Sequence, residues 1–221
     1  MSKRVFVTGI GIISAIGNNC QEVLQAICAL KTGLRDISHI KTRHRGKIPV
    51  CEIPLSDAEL RTLGGTRASS VNSRTALLGL IAAGEAFRNA GLQIDVSSRT
   101  GLICANSVGG MDKSEQFYET FARNEKQGKL RHIIEHDSGD SSEKIADALG
   151  IKDCVTTVST ACSSSANAIM LGARLIRSNR LDRVVAGGCD ALTRFTLNGF
   201  LSLKILDFQA CRPFDETRAG L

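Results

Sequence analysis

Val158-Ser159-Thr160-Ala161-Cys162-Ser163-Ser164-Ser165-Ala166-Asn167-Ala168-Ile169 is the stretch on which the fold turns. Val155 and Val158 read as the end of a buried strand. Ala166, Ile169, Met170, Ala173 and Ile176 then recur at three- and four-residue steps, the spacing of one helix face. Strand therefore passes directly into helix, with Cys162 at the junction. A thiol on such a turn faces the free N–H groups that open a helix. The helix dipole favours its thiolate, the nucleophilic form. Ala161 and the three serines are small and leave room for a substrate. This is the logic of a nucleophile elbow, with sulfur in place of a serine oxygen. The competing reading is a buried structural cysteine, since cysteine is among the most buried residue types.

Working outward, Val5 to Thr8 reads as a short apolar strand. Gln21 to Leu30 carries helical spacing ended by Gly33. Residues 34–66 are mixed and polar, broken by Pro49 and Pro54. Asn72 or Ser73 caps a long helix to about Ala90, with Leu77, Leu80, Ile81, Gly84 and Phe87 as its buried stripe. Gly101 to Ala105 is a second, wholly apolar strand. A polar excursion from Asn106 to Ser142 holds a charged helix near Lys113 to Gln127. Glu143 to Leu149 is a short helix. Val184 to Ala186 is a further strand, and a last helix lies near Leu197 to Leu206. Apolar strands alternating with helices predict a sheet covered on both faces, the α/β class.

At 221 residues, with 43% hydrophobic and 23% charged content, the chain is long enough to bury a sizeable core. No run reaches the length of a membrane span, and Ser2, Lys3 and Arg4 lead straight into a strand rather than a secretory signal. The eight cysteines form no C-x-x-C pair, which fits reduced thiols in the cytoplasm better than disulfides or zinc. The net charge of +6 suits an acidic partner or a solvated surface. With no Trp, one Tyr and no basic run interleaved with aromatics, nucleic acid is not an expected partner.

TACSSS before an amphipathic helix resembles the active-site turn of the β-ketoacyl synthases, the condensing enzymes of fatty-acid and polyketide synthesis. Three further segments resemble the same family in the same order. They are Arg4 to Gly17 (RVFVTGIGIISAIG), Val184 to Leu192 (VVAGGCDAL), and Arg212-Pro213-Phe214-Asp215 with Gly220. The resemblance implies the N-terminal half of a thiolase-type αβαβα layered fold, with a mixed, mostly parallel sheet covered by helices. Residues 1–221 would form a single incomplete catalytic domain whose C-terminal half is absent. The absence of an internal repeat fits one half rather than two.

The resemblance also implies a chemistry. Cys162 would take an acyl group as a thioester and pass it to the carbanion left when malonyl-acyl carrier protein loses carbon dioxide. The Cys162 backbone N–H would be one oxyanion donor. Val108, beside Gly109 and Gly110, aligns with the family's acyl pocket, and Phe200 with a pocket-lining Gly-Phe pair. Core packing is the other reading of both. Arg67 and Arg74 resemble the basic patch that meets the carrier protein, with Lys129 and Arg131 as weaker candidates; a solvated basic face is the alternative. No cofactor or metal is implied, and a homodimer is. The family's two histidines and lysine have no counterpart among His39, His44, His132 and His136, so the chain alone is not expected to condense substrates. A noncatalytic half that needs a complementary chain is the nearby alternative, against which the presence of Cys162 argues.

Two short motifs compete. Gly9-Ile10-Gly11 follows a strand, but the third glycine of a dinucleotide fingerprint would fall on Ser14. His132-Ile133-Ile134-Glu135-His136 is a literal H-x-x-E-H string. On a helix it would serve a zinc-dependent hydrolase, with His132 and His136 as ligands and Glu135 as base.

Overall fold

The computed structural model describes residues 4–68, 73–95 and 97–221, apart from the side chains of Thr66 and Arg67. In chain order its elements are α1 (Cys20–Cys28), α2 (Asp57–Gly64), α3 (Arg74–Asn89), β1 (Thr100–Ala105), α4 (Met111–Phe121), α5 (Arg131–Ile134), α6 (Ser138–Leu149), β2 (Cys154–Val158), α7 (Ser164–Arg177), β3 (Arg183–Gly188) and α8 (Arg194–Ser202). They fall into two units, Met1–Ile12 with Asp57–Ala191, and Ile13–Ser56 with Leu192–Leu221.

The first unit is built on a parallel sheet of order β2-β1-β3. β1 is central and all six of its residues are buried, as expected for a strand covered on both faces. Alternation along β1 sends Ile103 and Ala105 to one face, where Ala168, Leu171 and Leu175 of α7 pack with Val158, Val184 and Ala186. On the other face, Cys104 meets the Cys189 sulfur, and Cys189 and Ile145 of α6 press on Gly79 of α3. The strand-helix alternation is as the sequence predicts. Every pairing in this sheet is parallel, among the described residues.

Caps follow the sequence closely. The Ser73 side chain accepts from Ala76 N–H and opens α3, so the long helix begins at the second of its two candidate caps. The other, Asn72, lies outside the described residues. Gly150 closes α6 with φ 74°, but Asp137 opens that helix at Ser138 rather than at the expected Glu143, and Asn19 opens α1.

Two expectations are corrected. Residues 5–8 are not a strand. Phe6 and Val7 there are 71% and 80% exposed. The backbone N–H groups just beyond them go to helix side chains instead of a sheet. Ile10 N–H donates to Asn89 Oδ1 at 3.0 Å, and Ile12 N–H to Glu85 Oε2 at 2.9 Å. Gly9 and Gly11 are needed for this approach, because a Cβ on either would strike the carbonyl oxygens of Ala86 and Ala82. Their role here is contact with a helix rather than with a phosphate. The second correction is α2, which the polar composition of residues 34–66 hides. Its helix buries a single residue, Leu60, so no apolar stripe marks it.

The second unit has its own core of Ile37, Ile48, Val50 and Leu197. Arg35 and Val50 exchange two backbone hydrogen bonds of 2.9 Å. Buried Glu52 accepts from Ser38 N–H at 2.6 Å and Ser38 Oγ–H at 2.7 Å. The RPFD segment folds back through Arg212, whose guanidinium donates to Asp207 Oδ2 at 2.9 Å. The same carboxylate oxygen accepts from Ala219 N–H at 3.1 Å.

Candidate active site

Because β1, β2 and β3 are parallel, their C-terminal ends lie along one edge of the sheet. Ala105 pairs with Val158 and with Gly188 there. The loop after β1, the turn after β2 and residues 189–190 after β3 therefore leave the sheet together. In open α/β sheets this is the edge where ligands bind.

Cys162 is exposed on a single 3₁₀ turn, Ala161–Ser163, between β2 and α7. The chain reverses at Ala161, whose φ is 52°. A non-glycine residue there costs of order 1–3 kcal/mol, and such strain persists only where the surroundings hold it. Here the holding groups are visible. Ser164 Oγ accepts from Thr160 N–H at 2.7 Å and donates to the Ala161 carbonyl at 2.7 Å. Ser163 Oγ donates to the Thr160 carbonyl at 2.8 Å. Asn167, one helical turn on, donates through Nδ2 to Thr160 Oγ1 at 2.8 Å and to Ser163 Oγ at 3.2 Å. The serine run is thus more than a set of small neighbours. Two of its hydroxyls and the Asn167 amide brace the strained turn from within. The sequence marks the serines only as small neighbours and gives Asn167 no role; their hydrogen-bonding side chains at a strand-to-helix junction are the signal for this bracing.

The loop after β1 is fixed by a residue after β3. Asp190 accepts from Ser107 N–H at 2.9 Å and from Val108 N–H at 3.1 Å. The Asn106 side chain holds the same loop from the other side, accepting from Gly109 N–H at 3.1 Å and donating to the Ser138 carbonyl at 3.1 Å. Half-buried Val108 thus stands on a rigid loop at the same sheet edge as Cys162.

The remaining candidates separate. Phe200 lies on α8 of the second unit and is 36% exposed. Arg74 is not part of an exposed basic patch. It is buried, and its guanidinium donates to Asp57 Oδ1 at 2.9 Å. Lys113 joins the same carboxylate at 3.4 Å, so the charges at the start of α3 neutralise one another. Burial pushes the Asp57 carboxyl up, but the Arg74 hydrogen bond and the Lys113 charge outweigh it and hold the group below its ordinary range. Asp112, in the same cluster, is raised because burial outweighs Lys113. Arg67 has its backbone in the turn Gly65–Ala68, and its side chain lies outside the described residues. Lys129 and Arg131 are exposed, and Arg131 pairs with Glu135 at 3.2 Å.

The H-x-x-E-H string does not make a zinc site. Helix α5 stops at Ile134, so Glu135 and His136 leave the helix that would align the two histidines. Glu135 is buried against Arg131 and Lys144, and His136 Nδ1 is hydrogen-bonded to Ser114 Oγ at 2.9 Å. Among the described residues, no group of three His, Cys, Asp or Glu side chains could hold a metal ion.

The family description "Beta-ketoacyl synthase, N-terminal domain" fits residues 2–221. The chain belongs to the β-ketoacyl synthase family. It is 30% identical to Nodulation protein E of Rhizobium leguminosarum bv. trifolii over 234 residues, covering 100% of this chain and 55% of that protein. It is 27% identical to 3-oxoacyl-[acyl-carrier-protein] synthase 2 of Coxiella burnetii, over 99% of this chain and 55% of that one. Among solved structures, the ishigamide ketosynthase/chain length factor superposes with a TM-score of 0.88 at 27% identity. That match covers 100% of this chain and 55% of the other. The fold is therefore the thiolase-type α/β architecture expected from the motifs, and the chain spans about half the length of the curated relatives it matches. Among the described residues no helix is long and apolar enough to cross a membrane.

Proposed function

We propose that this synthase chain carries the nucleophile of a β-ketoacyl-acyl-carrier-protein synthase, an acyltransferase of fatty-acid or polyketide synthesis. The observation that carries the reading is the braced turn at Cys162. Its sulfur attacks the carbonyl carbon of an acyl thioester delivered on acyl carrier protein. The thiol of the carrier leaves with a proton, and the acyl group stays on Cys162 as a new thioester. Backbone N–H donors of the turn that leads into α7, that of Cys162 among them, stabilise the oxyanion of this step. The fixed loop at Val108 is read as one wall of the acyl site. Decarboxylation of malonyl-acyl carrier protein, and the attack of its carbanion on the Cys162 thioester, need further groups. We place these in the length that the relatives have and this chain does not match, so residues 1–221 act as one incomplete catalytic unit. A dimer and a cytoplasmic home complete the reading. The first is supported by family resemblance, the second by eight cysteines that are all free thiols.

The nucleophile favours this reading over a noncatalytic half. The test is acyl transfer itself. Incubation with a fatty-acyl thioester, followed by peptide mass mapping, is expected to place the acyl group on Cys162 first among the eight cysteines. An inert Cys162 in folded protein, under conditions where other cysteines react, overturns it. Chain extension from malonyl-acyl carrier protein by residues 1–221 alone would overturn the assignment of the remaining groups to another part of the enzyme.

A further inference from the structure

Away from the Cys162 turn, two other cysteines face each other. Cys104 on β1 and Cys189, just past β3, have their sulfur atoms 4.0 Å apart. Cys104 is opposite Gly187 of β3, and Cys189 follows the last residue of that strand, its N–H donating to the Ala105 carbonyl at 2.9 Å. Gly79 of α3 makes room for them: a Cβ there would lie 2.6 Å from the Cys189 sulfur. Both cysteines also line a groove of about 480 Å³ that runs between residues 5–11, α3 and β3. A hydroperoxide is about the size of two waters, roughly 60 Å³, and enters such a space readily.

We propose that Cys104 and Cys189 form a dithiol site that a hydroperoxide oxidises to an intramolecular disulfide. The two sulfurs are not equivalent. Hydrogen bonding from Cys189 lowers the Cys104 thiol, while the same contact together with burial pushes Cys189 up. The step takes Cys104 as the nucleophile and Cys189 as the resolving thiol. The Cys104 thiolate attacks one peroxide oxygen and the O–O bond breaks. This gives a sulfenic acid and a hydroxide that takes up the proton the thiol released. The Cys189 sulfur then attacks the Cys104 sulfur, the S–O bond breaks, and the Cys189 proton leaves with the hydroxyl as a second water. Two thiols lose two electrons and one peroxide gains them. The sulfurs must close by about 2 Å to reach the disulfide bonding distance of about 2.05 Å. The site lies one residue from Asp190, which anchors the Val108 loop.

The experiment treats the intact chain with hydrogen peroxide, blocks remaining thiols in denaturant, and maps peptides by mass without reduction. A linked peptide pair containing Cys104 and Cys189, lighter by the two hydrogens lost, is the expected product. It should form in wild-type and Cys162→Ser protein, disappear on reduction, and be absent from Cys189→Ser. Full alkylation of both thiols after unfolding overturns the proposal, as does a link joining either of them to a different cysteine. The wild-type measurement decides the question even if a variant fails to fold.

Discussion

The carboxylate of Asp190 accepts the backbone N–H of Val108 at 3.1 Å, across 82 residues of sequence. It also accepts from Ser107 N–H, so one side chain at the end of β3 sets the conformation of the loop at the end of β1. Replacing Asp190 with Ala removes both acceptors. Because the contacts are exposed, the loss in stability should be only about 1 kcal/mol, read as the shift in urea midpoint. The larger effect should be local, as faster amide hydrogen exchange at Ser107 and Val108. Asp190→Asn keeps one acceptor oxygen and should fall between.

Ser164→Ala tests the bracing of the elbow. The variant loses both 2.7 Å hydrogen bonds of a nearly buried hydroxyl, leaving Thr160 N–H and the Ala161 carbonyl without that partner. A cost of about 1–3 kcal/mol is expected from urea denaturation. The Cys162 thiol should also react with iodoacetamide at a changed rate, since the strained turn at Ala161 relaxes. A variant as stable as the parent, with the same Cys162 rate, would show that Ser164 does not hold the turn.

Asp57→Asn should have a pH-dependent effect with a definite sign. Asp57 is depressed in the folded state, so its ionised form stabilises the fold above its unfolded pKa of about 3.9. That contribution is lost as pH falls through the lower, folded value. The variant should therefore be weaker than wild type by about 1–3 kcal/mol at pH 7, where Arg74 and Lys113 lose the Asp57 charge while Lys113 keeps Asp112 at 3.3 Å. The difference should shrink below about pH 4 in urea titrations at successive pH values. Asp112 runs the other way. Its raised pKa favours the fold below its unfolded value, and that contribution fades as pH rises through the folded one. Asp57 is thus the cleaner site for the measurement.

Gly11→Ala should peel the opening segment from α3. The new Cβ would meet the Ala82 carbonyl and the Ala86 backbone nitrogen, neither of which can move without disturbing the helix. Overpacking of this kind costs about 1–3 kcal/mol. Loss of the Ile12–Glu85 hydrogen bond should accompany it, seen as earlier proteolysis within residues 4–12. Unchanged protease resistance would argue that this contact does not hold the segment.

Several elements were plain in the sequence because their signals are local. Ser73 and Asn19 are side chains that cap a helix from one residue before it. β1 is a run of apolar residues with no break, which only a doubly covered strand needs. Cys162 is marked by a strand pattern on one side and a helix pattern on the other. Helix α2 lacked such a signal, having one buried residue. Residues 5–8 carried a strand signal that misled: an apolar run favours burial, yet Phe6 and Val7 stay 71% and 80% exposed.

The sequence by itself determined the family and the place of Cys162 on the turn between β2 and α7, since both depend on residues that are neighbours along the chain. Tertiary structure decided what surrounds them. Arg74 is an ordinary surface cation in the sequence; only folding buries it and sets half-buried Asp57, 17 residues away, against it. Asp190 likewise shows no link to Val108, and Cys104 none to Cys189, until β1 and β3 lie side by side. Hydrogen bonds and sulfur contacts act over a few ångströms of space, and 80 or more residues of chain must fold before those ångströms exist.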